Sequence, residues 1–285
     1  SIKAKSKGRA IGFSLVMIGI YFLNSILVGI VYGALLGVGI IGNNIDIQTY
    51  IENNSTSFLA TVSILSIIVF GIILYFKQKS SKNYAAKPFV SFDIVKKEEL
   101  LESFILFLGT YGITILWVVF INFLSEGNLF FQKILESHNN VMGEITSSES
   151  FILVFFATAI IAPVIEELFF RGLIYGRLRQ AMKPIVAIFI SSLLFGIFHG
   201  NIVQGVYAFF IGFVLALVYE KTGALWLSIV GHALINTIGV VIPYLKLESL
   251  QIALIIIGII ALIPSILILK KWFTTNKDIL TNEVL

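Results

Sequence analysis

Residues 151–172 read FILVFFATAIIAPVIEELFFRG, an apolar run that ends in two adjacent glutamates and an arginine. A run of this length can cross about 30 Å of hydrocarbon as a single helix. A charged side chain inside hydrocarbon costs several kcal/mol unless it has partners. Glu166, Glu167 and Arg171 are therefore costly where they stand, and their presence indicates a functional site.

The composition of the whole chain indicates a polytopic membrane protein. Of its 285 residues, 58% are hydrophobic and 13% are charged, and the mean hydropathy is +0.97. So few charges cannot cover a normal water-facing surface. The chain has no cysteine, which excludes disulfides, thiolate catalysis and Cys-ligated zinc. The net charge of +4 is explained by membrane topology, and no nucleic-acid partner is expected.

Apolar windows of about twenty residues predict an all-α bundle of about eight transmembrane helices, forming one membrane domain over residues 1–285. The short window before Gly200 and Asn201 predicts a helix break at that point. Residues 42–57 are expected to form an exposed loop, residues 129–135 a short surface helix, and residues 77–100 are compatible with an amphipathic interfacial helix. The eight windows are 10–41, 58–76, 101–124, 151–170, 185–199, 202–219, 224–243 and 250–269.

The basic residues predict which side of the membrane holds the termini. With eight crossings, all of the 20 Lys and Arg residues except Lys133 and Lys246 fall on one side. Cytoplasmic segments carry the excess of Lys and Arg. Both termini of this multi-pass protein are therefore predicted to be cytoplasmic, in a cell membrane.

Glu167 and Arg171 are four residues apart, so they share a helix face and can form an ion pair. Glu166 points about 100° away from them. A purely structural alternative is that both glutamates cap the cytoplasmic end of the helix and reach water. Glutamate is unfavourable at a helix C-terminus, however, and its short side chain reaches water poorly.

Two further motifs place polar groups on later spans. His199 ends the stretch Phe195-Gly-Ile-Phe-His199, and His232 and Asn236 share one helix face four residues apart. The structural alternatives are a satisfied interfacial histidine and a polar clamp between helices, worth about 0.6–2 kcal/mol per hydrogen bond. Two intramembrane histidines on different spans from two glutamates favour a joint site over these alternatives. His138 is interpreted as incidental.

Together these side chains can hydrolyse a bond. A desolvated carboxylate and an imidazole can move protons of a water molecule, and N–H groups of an amide and an imidazole can stabilise an oxyanion. A metal site is the weaker interpretation, because the chain has no H-E-x-x-H motif and its candidate ligands lie on three spans. No metal and no other cofactor is expected. One joint site requires the helix before Gly200 to stop inside the membrane, where irregular backbone lines an enclosed cavity.

The three motifs resemble, in order, those of the CAAX protease and bacteriocin-processing family, which includes the type II CAAX prenyl endopeptidases and bacterial proteins called Abi. The family pattern is E-E-x-x-x-R, F-x-x-x-H and H-x-x-x-N, and the resemblance covers about residues 150–240, the expected catalytic core. It implies an intramembrane bundle with a cytosol-facing cavity and peptide-bond hydrolysis. Glu166 would activate water with His199, His232 and Asn236 would form the oxyanion hole, and Glu167 and Arg171 would support the site.

The resemblance implies a metal-independent glutamate endopeptidase that acts on a membrane-associated peptide or protein tail. In a bacterium, such a protease would process pheromone or bacteriocin precursors or confer bacteriocin immunity. One alternative is a non-catalytic membrane protein that binds a partner such as a sensor kinase or cell-wall enzyme. A transporter is a lesser alternative, because intramembrane carboxylates also relay protons.

Overall fold

The structure is a computed structural model that describes residues 6–43, 47–81, 90–146 and 150–275. These ranges are almost entirely helical and contain no β-strand, so the all-α prediction is confirmed. The helices are α1 Lys7–Asn43, α2 Ile47–Ser81, α3 Lys97–Ser125, α4 Leu129–Thr146, α5 Phe151–Arg179, α6 Pro184–Phe198, α7 Ile202–Thr222, α8 Leu225–Tyr244 and α9 Glu248–Thr275.

Each of the eight predicted spans lies within one of these helices, to within one residue at either end. Six helices of the described chain are long and apolar enough to cross a membrane: α3, α5, α7, α8, α9 and the Lys7–Val31 part of α1. The helix α6 is apolar but shorter, and α2 is not among the six. The chain is therefore a multi-pass membrane protein, while the count of eight stays a prediction.

Two segments differ from expectation. The helix α2 begins at Ile47, so most of the expected loop at 42–57 is helical, because Ile47 and Ile51 continue a helical apolar pattern. Residues 90–96 are extended, and the amphipathic helix is wrong there; residues 82–89 lie outside the described ranges. Helix starts leave unpaired N–H groups, and this segment satisfies one of them, since Leu225 donates its N–H to the Ser91 carbonyl at 3.0 Å.

The helix α5 has wide π-helical turns at Phe156–Ile161 and Leu168–Tyr175, on either side of a short α-helical segment that carries both glutamates. In a π turn each N–H bonds the carbonyl five residues back, and Ala162 bonds Ala157 in this way. The next residue is Pro163, which has no N–H. The carbonyl of Thr158 is therefore left without this helical donor.

The predicted break at Gly200 is confirmed. The helix α6 ends at Phe198, Gly200 has φ +67°, and Asn201 starts α7 by accepting the Gln204 N–H at 3.1 Å. Glycine adopts positive φ without a Cβ penalty. The resulting hairpin packs closely, because a Cβ on Gly196 would lie 2.5 Å from the Gly205 carbonyl oxygen. This hairpin places His199 at the turn between two tightly packed helices.

The outward faces of the helices are apolar, as lipid contact requires. Ile26 and Ile30 of α1 and Ile263 and Ile266 of α9 are each more than half exposed. Exposed apolar surface on this scale is not found on monomeric soluble proteins. The buried charged residues Glu167 and Arg171 lie instead between α5, α7 and α8, together with the buried His232.

Candidate active site

Glu167 is the centre of the buried polar cluster. It is completely buried, and its Oε1 accepts hydrogen bonds from Arg171 Nη1 and from His232 Nδ1, each at 2.9 Å. The first bond is the i, i+4 pair predicted within α5, and the second joins α5 to α8. A buried carboxylate needs such partners to remain ionised. The first and third sequence motifs thus meet at one carboxylate oxygen.

Glu166 lies on the other side of the His232 ring. Its Oε2 is 3.8 Å from His232 Nε2, beyond direct hydrogen-bond distance, and this oxygen has no hydrogen-bond partner. Its side chain is 19% exposed, whereas that of Glu167 is 0% exposed. The two adjacent glutamates therefore differ in exposure, and Glu166 is the more exposed of the two, although its Oε2 is buried.

Arg171 is fixed by α7 as well as by Glu167. Its Nη2 donates to the Gly212 carbonyl at 3.0 Å, and its guanidinium carbon lies 4.7 Å from the centre of the Phe195 ring. A Cβ on Gly212 would lie 3.3 Å from Arg171 Nη2 and 2.9 Å from Phe195 Cδ1. The absence of a side chain at position 212 therefore leaves room for both groups.

His199 lies at the end of α6, half-buried, beside the same aromatic ring. Its Nδ1 is 2.8 Å from the Phe195 carbonyl oxygen, one helical turn back. The Phe195 ring lies edge-on to both imidazoles, with centroid distances of 4.8 Å to His199 and 5.7 Å to His232. The second motif is thus joined to the other two through Phe195, and no hydrogen bond links His199 to either glutamate.

Asn236 is tied to the wide turn that precedes the glutamates. Its Nδ2 donates to the Thr158 carbonyl at 2.8 Å, the carbonyl that Pro163 leaves without its helical donor. The carboxamide retains a second N–H. Asn236 is one turn after His232 on α8, so this bond also fixes the approach of α8 to α5.

Four contributors to this cluster were not predicted as site residues. Phe195 belongs to the second motif, in which the sequence marks it only by its spacing from His199. Gly212 and Thr158 act through backbone carbonyls, and no side-chain motif reveals them. Tyr21 of α1 lies within electrostatic range of Glu166, and its place on a long apolar helix gives no signal in the sequence. A Pro five residues after a carbonyl is the one pattern that could have pointed to Thr158.

A bound metal ion requires several ligand side chains directed at one point. Within the described parts of the chain, no group of three or more His, Cys, Asp or Glu side chains is arranged to hold a metal ion. Glu167 Oε1, the best-placed oxygen, already accepts from Arg171 and His232. The positive charge beside this carboxylate is thus supplied by a guanidinium.

Comparisons with known proteins give a family match and matches to curated proteins. Residues 148–238 match the family described as type II CAAX prenyl endopeptidase Rce1-like. A stretch of 162 residues is 29% identical to "Putative membrane peptidase YdiL" of Bacillus subtilis (strain 168), covering 52% of this chain and 66% of that protein. A stretch of 106 residues is 34% identical to "Membrane-embedded CAAX protease MroQ" of Staphylococcus aureus (strain USA300), covering 35% and 42%.

No solved structure gives a significant match. The aligned parts span less than two thirds of the length of either relative. The family match begins just before α5 and ends just after Asn236, so it contains every residue of the cluster except Tyr21. The resemblance to the type II CAAX prenyl endopeptidases is thereby confirmed for residues 148–238 of this membrane protein.

Proposed function

We propose that this protein is a metal-independent intramembrane endopeptidase that uses Glu166 to activate water. The observation that best supports the proposal is the position of His232, with Nδ1 2.9 Å from Glu167 and Nε2 3.8 Å from Glu166. Two carboxylates of unequal exposure lie on either side of one imidazole, inside a bundle of apolar helices. Such a set of groups can act as general base and general acid in hydrolysis.

Glu166 is the proposed base because it is the more exposed carboxylate of the pair. His199 would assist, since its Nδ1 is engaged by the Phe195 carbonyl and its Nε2 remains available. As the water oxygen attacks the peptide carbonyl carbon, Glu166 would take one water proton. That proton would pass to the leaving nitrogen as the C–N bond breaks.

His232 and Asn236 are the proposed oxyanion hole. Glu167 accepts from His232 Nδ1, so the protonated ring would present Nε2–H to the reacting carbonyl oxygen. Asn236 would contribute the carboxamide N–H that Thr158 does not use. Donors that are already oriented need no reorganisation when the charge develops, and removing one donor from such a hole costs about 10²–10³-fold in rate.

The charge balance of the cluster supports these roles. When both glutamates are ionised, Arg171 compensates one negative charge and protonated His232 compensates the other. During attack, the negative charge moves from Glu166 to the substrate oxygen, beside the same imidazolium. The net charge of the buried site is then unchanged, which avoids the large cost of an isolated charge at low dielectric.

The proposed substrate is a membrane-associated peptide or protein tail. Every site residue lies on α5 or α8 or directly after α6, which are apolar helices, so a substrate must reach the site at or within the bilayer. The two relatives are named as a membrane peptidase and a membrane-embedded CAAX protease, in line with this class. Processing of a bacterial peptide, pheromone or bacteriocin precursor, or bacteriocin immunity, would follow from it.

The topology and domain organisation belong to the same proposal. We place both termini in the cytoplasm, since nearly all Lys and Arg residues then face that side. One membrane domain would contain the catalytic core at 150–240, with its cavity open to the cytosol. The polar ends of α5, α7 and α9 carry basic residues, including Arg179, Lys221 and Lys271, as this orientation requires.

The proposal is tested by proteolysis with the purified protein in liposomes, using fluorogenic peptides with and without a lipid anchor. We expect cleavage that survives a chelator and falls about 10²–10⁴-fold in Glu166→Gln, the range that general acid–base groups contribute. Glu136→Gln, an exposed glutamate on α4, is the matched control and should retain full activity.

Two results would contradict the proposal. Cleavage that stops with the chelator would show a metal enzyme. Cleavage by Glu166→Gln at the wild-type rate would remove the proposed base. If no peptide is cut and the Glu166→Gln variant keeps the cellular phenotype, the non-catalytic partner of another membrane protein becomes the better explanation.

A further inference from the structure

Two cationic side chains from two helices lie over the half-buried ring of Phe13, and a third cationic residue lies one turn away on the helix of Phe13. Lys77 Nζ of α2 lies 5.2 Å from the ring centroid, and the guanidinium carbon of Arg177 of α5 lies 6.0 Å from it. Arg9 is one turn before Phe13 on α1, and its charge acts on Arg177. This cluster of Arg9, Phe13, Lys77 and Arg177 is called the basic cluster below.

The basic cluster has no negative partner in the described part of the chain. The ion pairs of the described residues involve other cations, namely Arg171, Arg179, Lys221, His232 and Lys271. The charge that acts on Arg177 is the like charge of Arg9. Residues 1–5 and 82–89, which precede α1 and follow α2 in the sequence, contain four lysines and no Asp or Glu.

Topology alone does not explain this convergence. Basic residues on the cytoplasmic side of a membrane protein need only reach water, and mutual repulsion keeps them apart. A cation beside an aromatic ring at an exposed site gains about 0.5–1 kcal/mol, which is comparable to the repulsion it must offset. A bound anion would convert the repulsion into attraction for all three cations.

We propose that the basic cluster binds the phosphate of an anionic phospholipid. Two guanidinium groups can donate paired hydrogen bonds to phosphate oxygens, and Lys77 adds a point charge. The exposed apolar residues Ile11 and Phe76 lie on the same ends of α1 and α2 and would contact the acyl chains. The site joins the start of α1 to the ends of α2 and α5, and it is independent of the proposed peptidase activity.

The test is lipid binding by the full-length protein in nanodiscs of phosphatidylcholine that contain a minor fraction of phosphatidylglycerol, read by native mass spectrometry. The double variant Lys77→Gln/Arg177→Gln should bind phosphatidylglycerol at least about tenfold more weakly, since each basic residue near a membrane surface contributes about fivefold. The control is Lys79→Gln/Lys183→Gln, which removes the same charge from two exposed lysines and should bind as the wild type does.

Two results would overturn the proposal. An equal loss in both double variants would show diffuse attraction of the basic face and no defined site. Binding of soluble glycerophosphate as tightly as the lipid would show a site for free phosphate compounds. The single variant Lys77→Gln changes only an exposed side chain, so it keeps the test decisive if the double variant fails to fold.

Discussion

Asn236 of α8 donates its Nδ2–H to the main-chain carbonyl of Thr158 in α5, at 2.8 Å. Pro163 cannot supply the N–H that a π turn would direct to that carbonyl, so the carbonyl lacks this competing donor. A proline in the membrane-embedded helix thus helps to set the orientation of a carboxamide on another helix. Pro163 is therefore a positioning residue for the proposed oxyanion hole.

The first prediction concerns Pro163→Ala, which restores an N–H that competes for the Thr158 carbonyl. We expect kcat to fall on the order of tenfold with little change in KM. This loss is smaller than the 10²–10³-fold loss on removing an oxyanion donor, because the Asn236 carboxamide is still present. In an Asn236→Ala background the same change should have no further effect. Pro264→Ala, at a proline inside α9, is the control, and an equal loss in both backgrounds would refute the link to Asn236.

The second prediction concerns the buried pair Glu167 and Arg171. Glu167→Gln and Arg171→Met should each destabilise the protein by about 3–5 kcal/mol, because each leaves an uncompensated buried charge. The double variant should be more stable than either single one. Thermal unfolding in detergent measures this. Lys271→Met breaks a pair whose lysine is 54% exposed and should change little; additive losses in the double variant would argue against direct pairing.

The third prediction concerns Gly212, whose carbonyl holds Arg171. A Cβ there would meet Phe195 Cδ1 at 2.9 Å and Arg171 Nη2 at 3.3 Å, so Gly212→Ala must displace one of them. We expect peptidase activity to fall while the helical content, read by circular dichroism, is kept. Gly71→Ala on α2 has open space around the added carbon and should leave peptidase activity unchanged. Equal activity of the two variants would show that Arg171 tolerates the shift.

The sequence predicts the helical class and the site residues because both depend on local patterns. Apolar length reveals spans, and a charge inside an apolar run is costly enough to mark a site. The i, i+4 spacing alone predicted the bond between Glu167 and Arg171, which the structure contains at 2.9 Å. The break at Gly200 followed from a glycine next to a polar residue at the end of a short span.

Other features depend on contacts that no local pattern encodes. The bond between His232 and Glu167 needs the relative rotation of α5 and α8, and the roles of Gly212 and Thr158 use backbone carbonyls that every residue has. The extended segment at 90–96 was misjudged because its conformation is set by a distant partner, the first turn of α8. Tertiary hydrogen bonds there outweigh the local amphipathic pattern.

The last prediction concerns His138 of α4, interpreted from the sequence as incidental. It is 7% exposed, its ring lies 5.9 Å from that of Tyr207 of α7, and its Nδ1 has no hydrogen-bond partner. Burial lowers the pKa of His138 below its ordinary value near 6.5. Above that pH the imidazole is neutral in both folded and unfolded states, so it makes no pH-dependent contribution to stability.

As the pH falls below about 6.5, His138 binds a proton in the unfolded state but not in the folded state. The stability of the fold therefore declines until the pH has passed the pKa of His138 in the folded state. The melting temperature of the wild type should therefore fall between about pH 7 and pH 5 more steeply than that of His138→Phe, which keeps the ring contact with Tyr207 and cannot be protonated. His199 and His232 are present in both proteins, so the difference between the two curves reports on His138. Parallel curves would mean that His138 is solvated in the membrane-bound protein and that α4 does not bury it against α7.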